Sequence, residues 1–193
     1  MHFGIDYGSK LSGTTVITYD LNGILFQKSS AKKMDADAMI LKTARELKPS
    51  FIYLDAPLSL PKIYSGKGND YFYREADREL KAMSPMFLGG LTARAMQLKA
   101  HILSLIETKI FETYPGALVR SIPELKICYK KKDPTMIPVL TKQIEGLLKE
   151  IKLNDKPKTI HEIDSILAWY SGLRHQNGDA VITGNLKEGV IIY

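Results

Sequence analysis

The chain has 193 residues, is 45% apolar and 25% charged, and carries a formal net charge of +6 with a single cysteine. That length and balance fit one globular domain, 1–193, with a full core, and the basic excess favours a polyanionic partner such as nucleic acid. The lone Cys128 excludes an internal disulfide and a cysteine-based zinc cage, and no apolar run approaches the ~20 residues a membrane-spanning helix needs. The N-terminus lacks a long apolar run behind basic residues, so no signal peptide is expected, and a reducing, cytoplasmic setting fits.

Residues 2–7 read as a first strand in which Asp6 sits among apolar neighbours. "TTVITYD" (14–20) is a second strand rich in β-branched residues, and Asn22-Gly23 turns it into a third, "ILFQKSS" (24–30). A helix over 35–48 follows, with Asp35 as N-cap and Pro49 as its stop. "FIYLDAPL" (51–58) is a fourth strand, ending in Asp55; strand, helix and strand imply a right-handed parallel crossover. Residues 59–69 are rich in Gly, Pro and Ser and read as an exposed loop.

Helical spacing continues over 70–83, breaks at 84–90, and resumes strongly over 91–107. "KIFETYPGA" (109–117) is a fifth strand bearing Glu112 and stopped by Pro115-Gly116. An amphipathic helix is expected over 134–151, then a lysine-rich connector, 152–158. The last helix, 159–175, opens with the capping-box spacing of Thr159 and Glu162. The tail reads as a hairpin turning at Gly184-Asn185. The fold class is therefore α/β: a three-stranded antiparallel meander followed by parallel strands, a mixed five-stranded sheet flanked by helices. A helical insertion over about 62–107 and the C-terminal hairpin complete it.

Four acids stand in apolar settings: Asp6, Asp55 and Glu112 on strands, and Asp164 on the last helix. Buried carboxylates need a partner. Each could be a local capping group, or, if the strands are neighbours, together they could hold a hard cation such as Mg²⁺ or Mn²⁺. Two such ions on shared carboxylates suit attack of water on a phosphodiester.

The element order resembles the ribonuclease H-like fold. "GIDYG" (4–8) is similar to its first-strand aspartate motif, and "HEIDSILA" (161–168) to the final-helix motif of RuvC-type Holliday junction resolvases. With "LDAPLSLP" (54–61), "READREL" (74–80), "ETYPGA" (112–117) and "EGVIIY" (188–193), the chain resembles the "predicted nuclease, RNase H fold" proteins, the domain-of-unknown-function 429 family. The resemblance implies Asp6, Asp55 and Asp164 as metal ligands, His161 as an auxiliary ligand or proton-transfer group, and Glu112 as a further acid; the residues themselves equally allow Glu112 as the structural partner of an arginine and His161 as a surface histidine at the helix N-terminus. One departure stands out: strand four ends in aspartate where many RuvC-type enzymes use glutamate. RuvC-type enzymes work as dimers, so a homodimer is implied too.

Arg74 and Arg78, one helical turn apart, read either as a salt-bridged surface or, with Arg94, as a phosphate clamp. Lysine runs at 130–132 and 149–158 could track a nucleic-acid backbone. The leading expectation is a metal-dependent nuclease. The alternatives are a non-catalytic nucleic-acid-binding or assembly protein on the same fold, and an actin-like ATP-binding protein, suggested by "GIDYGSKLSGTTV" (4–16).

Overall fold

The computed structural model describes residues 1–129 and 133–193; the lysine run at 130–132 lies outside the described residues. The first three strands are β1 (His2–Asp6), β2 (Val16–Leu21) and β3 (Ile24–Ser29), paired antiparallel. Asn22 and Gly23 both take positive φ, 53° and 78°, which is what a two-residue turn matched to strand twist demands. Helix α1 (Ala36–Leu47) starts where the Asp35 carboxylate accepts the N–H groups of Asp37 and Ala38, and it ends with Lys48 in the left-handed region. It returns the chain to β4 (Phe51–Asp55), parallel to β1.

Between β4 and β5 (Lys109–Thr113) lie a short turn of 3-10 helix and the helices α2 (Glu75–Glu79), α3 (Pro85–Leu88) and α4 (Gly90–Leu105). The helix expected over 70–83 is only five residues long. Its N-terminal part is taken by Asp70, whose carboxylate accepts from Phe72 and Tyr73 N–H and so holds a turn. Pro115 stops β5 as expected, and its fixed φ also opens a helix, α5 (Pro115–Ser121). Then come α6 (Pro123–Cys128), α7 (Ile137–Leu148), the two-residue strand β6 (Lys152–Leu153) and α8 (Ile160–Asn177). The capping box of Thr159 and Glu162 is formed.

The C-terminal strands are β7 (Ile182–Asn185) and β8 (Gly189–Ile192). The turn falls after Asn185 rather than at it, because the Asn185 side chain accepts the N–H groups of Lys187 and Glu188.

All eight strands form one sheet in the order β6-β3-β2-β1-β4-β5-β8-β7. Its centre, β3-β2-β1-β4-β5, has the order and directions of a ribonuclease H-like sheet. The fold is ribonuclease H-like. The expected five strands are extended at both edges: β8 pairs with β5, covering an edge that would otherwise expose its N–H and C=O groups, and β6 pairs with β3.

Strand alternation sends the two sides of β1 to different cores. Phe3 and Ile5 join Ile17, Ile52 and Leu54 under α1 and α4. His2, Gly4 and Asp6 face the other way, toward α8, whose Ile163, Ile166 and Trp169 share a second core with α5, α6 and α7. Among the described residues no helix is long and apolar enough to cross a membrane.

Candidate functional site

In the parallel pairing of β1 with β4, Asp6 stands directly opposite Asp55. Neighbouring strands are about 4.8 Å apart, so the two carboxylates leave the sheet side by side at its carboxyl end. Helix α8 reaches them because β1 carries a glycine at its crossing point. A Cβ on Gly4 would lie 2.0 Å from the Trp169 nitrogen and 2.6 Å from the Ser165 oxygen. A second contact of this kind lies further along, where Gly172 of α8 leaves room for the ring of Tyr53.

This close approach lays the first turns of α8 over the end of β1. His161 Nδ1 is 2.8 Å from Asp6 Oδ2. Asp164, three residues on and therefore on the same helical face, is 2% exposed and accepts the hydroxyl of Tyr129. Burial pushes the Tyr129 phenol far above its ordinary pKa, and the negative charges of Asp164, Asp55 and Asp6 push it the same way. Three carboxylates from β1, β4 and α8 thus act on one hydroxyl group. The contact of Tyr129 with Asp164 is one that sequence reading missed: no motif or spacing links position 129 to position 164.

Glu112 is not among them. It pairs with Leu54 rather than with Asp55, one residue out of step, so its side chain leaves the opposite face of the sheet. There it receives both terminal nitrogens of Arg74 at 2.6 Å and the Leu58 N–H at 2.9 Å. Arg74 is 1% exposed and also bonds Asp77 and Ser59, so it is neither a solvated surface arginine nor a phosphate clamp. Burial opposes its charge, but the bonds to Glu112 and Asp77 outweigh that and hold the guanidinium above its ordinary pKa. The neighbouring Glu188 is buried as well and accepts the N–H groups of Lys62 and Glu75. Together Glu112 and Glu188 fasten the segment after β4 to the sheet.

Arg94 is occupied too. It bonds both oxygens of Asp37, donates to Gly8, and lies over the Tyr7 ring at 4.4 Å. Arg78 differs from both: its side chain is 62% exposed, paired with Asp70 at the surface and resting on the Tyr73 ring.

A cleft of about 210 Å³ opens at the carboxyl end of the sheet, lined by Asp6, Asp55, Asp77 and Glu112 and by Met83, Leu88, Leu91 and Tyr114. Its acids supply oxygen donors, with no thiolate among the lining residues, a set suited to a hard divalent cation. Among the described residues, however, no three His, Cys, Asp or Glu side chains are arranged to hold a metal ion together. Asp6 and Asp164 are each turned to a protein partner, His161 and Tyr129.

No protein-family model matches the chain, and no curated protein matches it in sequence. Among solved structures, T. thermophilus RuvC in complex with Holliday junction substrate is similar over 96% of this chain and 99% of that chain, with 13% identity and a TM-score of 0.42.

Proposed function

We propose that the protein is a divalent-metal-dependent nuclease, of the kind implied by the domain-of-unknown-function 429 motifs it resembles. One observation carries this reading: Asp6 and Asp55 stand side by side on the wall of a cleft, and the helix face of α8 that brings His161 to Asp6 also carries the buried Asp164. Carboxylates crowded at a sheet end repel one another and gain most from a cation.

Asp6, Asp55 and Asp164 would hold Mg²⁺ or Mn²⁺, which when bound neutralises phosphoryl charge and acidifies water. The chain's own residues do the rest. Asp6 fixes the orientation of the His161 ring through Nδ1, and the ring, 42% exposed, is placed to carry a proton beside Asp6. Tyr129 holds Asp164 in place until a cation competes for its oxygen. The basic excess of the chain draws in a nucleic-acid backbone, DNA or RNA.

The test is cleavage of labelled single-stranded, duplex, hybrid and four-way-junction substrates with Mg²⁺, Mn²⁺ or EDTA. Metal-dependent cutting that disappears in Asp6→Asn and Asp164→Asn supports the reading. Undiminished cutting by either variant rules it out.

A second reading has its own support: a nucleic-acid-binding protein that keeps the fold without turnover. Asp6 and Asp164 are already paired within the protein, and among the described residues no three His, Cys, Asp or Glu side chains are arranged around an ion. Calorimetry with Mn²⁺ separates the two, because a binding protein of this kind takes up no ion at Asp6, Asp55 and Asp164.

A further inference from the structure

The segment that joins β4 to α4 exposes aromatic rings in mutual contact. Tyr71 is 58% exposed, Phe72 52% and Phe87 64%, with Tyr64 beside them at 52%. Phe72 and Phe87 lie 5.6 Å apart, Tyr73 meets Phe87 edge-on at 6.0 Å, and Tyr64 meets Tyr71 edge-on at 6.4 Å. Single exposed apolar side chains are ordinary; two groups of exposed rings in contact on neighbouring turns are not.

The rings are held firmly. Ser84 Oγ donates to the Phe72 carbonyl and accepts the N–H groups of Met86 and Phe87, so one hydroxyl ties the two ring-bearing turns together. Asp70 fixes the Phe72 and Tyr73 backbone, and Arg74 and Glu188 anchor the whole segment to the sheet. A surface so constrained loses little freedom when it binds.

Its chemistry narrows the occupant. The patch offers aromatic rings, and the exposed Arg78 guanidinium lies 4.7 Å from the Tyr73 ring centre, held there by its surface ion pair with Asp70. Rings with an adjoining cation suit flat, anionic, strand-like ligands: bases stack on the rings while phosphate meets the arginine. The patch is also continuous with the cleft, because Met83, 61% exposed, and Leu88 line the cavity that holds Asp6 and Asp55.

We propose that Tyr71, Phe72 and Phe87 form a stacking surface for unpaired bases, and that Arg78 meets the phosphates of the same strand as it runs toward the cleft. This names the substrate class of the site proposed above and rests on that reading: nucleic acid with single-stranded character rather than intact duplex. Bases inside a duplex present no free ring face to such a patch.

The experiment is fluorescence anisotropy in EDTA, with labelled oligothymidylate and a duplex of the same length, comparing wild type with Phe72→Ala, Phe87→Ala and the pair. Preferential single-strand binding, weakened about tenfold by each alanine and kept by Phe87→Trp, is the expected result. Thermal melts establish that the variants fold, since the rings removed are exposed. Equal loss on both ligands, or no loss, overturns the stacking surface. So does a wild-type protein with no preference for the single strand. Cleavage assays in Mn²⁺ on the same proteins keep the two readings apart. Cutting that survives the alanines with unchanged KM sinks the stacking surface and keeps the nuclease. Ring-dependent binding by a protein that never cuts sinks the nuclease and keeps the surface.

Discussion

Asp6 of β1 and Asp55 of β4 face each other across a parallel strand pair, on the side of the sheet that α8 covers. Their separation is set by backbone hydrogen bonding, not by side-chain choice, so it does not relax when either residue changes. Asp6→Asn and Asp55→Asn are therefore expected to fold normally while lowering metal-dependent cleavage by about 100-fold or more. Circular dichroism and cleavage rates measured on the same samples check both halves.

The hydroxyl of Tyr129 occupies Asp164, so on the proposed metal-site reading it would compete with a cation there. A hydrogen bond to a charged group contributes about 1.5–3 kcal/mol, so removing it frees that oxygen at some loss of stability. Tyr129→Phe is expected to melt lower and to bind Mn²⁺ about tenfold more tightly by calorimetry. Weaker Mn²⁺ binding would instead make the phenol part of the ion's support.

Gly4 gives α8 its path over β1. In Gly4→Ala the new methyl group would stand 2.0 Å from a backbone nitrogen, a clash that no rotamer relieves. The helix must lift, carrying His161 and Asp164 away from Asp6. Urea unfolding should show a loss of about 3 kcal/mol, with catalysis falling further than stability alone explains. A variant as stable and active as wild type would show that α8 does not need this approach.

Arg74 sits between Glu112 and Asp77 with almost no exposure. Arg74→Met leaves two buried carboxylates without their cation and is expected to cost about 3–5 kcal/mol. Adding Glu112→Gln and Asp77→Asn should restore most of it, because the penalty belongs to the unpaired charges. A triple variant no more stable than Arg74→Met would count against that account.

His2 provides the pH dependence. Its Nε2 lies 2.8 Å from the Trp169 carbonyl and its Nδ1 faces the Gln176 amide at 2.9 Å, an arrangement that suits the neutral ring with its proton on Nε2. Burial lowers its pKa from 6.5, against smaller opposing effects. The folded state therefore binds fewer protons here than the unfolded chain. This contribution to stability is complete above pH 6.5 and is lost as pH falls toward the folded pKa. His175, also lowered by burial, acts in the same direction. Denaturant midpoints from pH 8 to pH 5, in wild type and His2→Gln, should diverge as the solution becomes acidic; parallel curves would contradict the prediction.

Local chemistry made much of the fold legible in sequence. Asn22-Gly23 can hardly do anything but turn, Asp35 and Thr159 cap helices with their own side chains, and Pro49 cannot continue one. The long stripe over 91–107 needs no tertiary partner to be recognised as helical. Where a side chain took nearby N–H groups inside a stretch whose spacing indicated something else, the reading failed: Asp70 unwound the start of a helix, and Asn185 moved a turn.

The candidate site divides along the same line. The acidic residues and their i, i+3 spacing on α8 are properties of the sequence, as is the period-two alternation that separates Asp6 from Ile5. Which acids meet is decided by register, which is a relation between strands and has no local signal. One residue of offset between β4 and β5 turns Glu112 to the other face of the sheet and into the grip of Arg74, so that it reaches the cleft already paired, while exact opposition keeps Asp55 beside Asp6. Tyr129 reaches Asp164 only because α6 and α8 share one core with α5 and α7, which closes the distance between positions far apart in the chain. The sequence determined which groups were available; strand register and the glycine contact at Gly4 determined which of them share a site, because both depend on backbone geometry that no single segment contains.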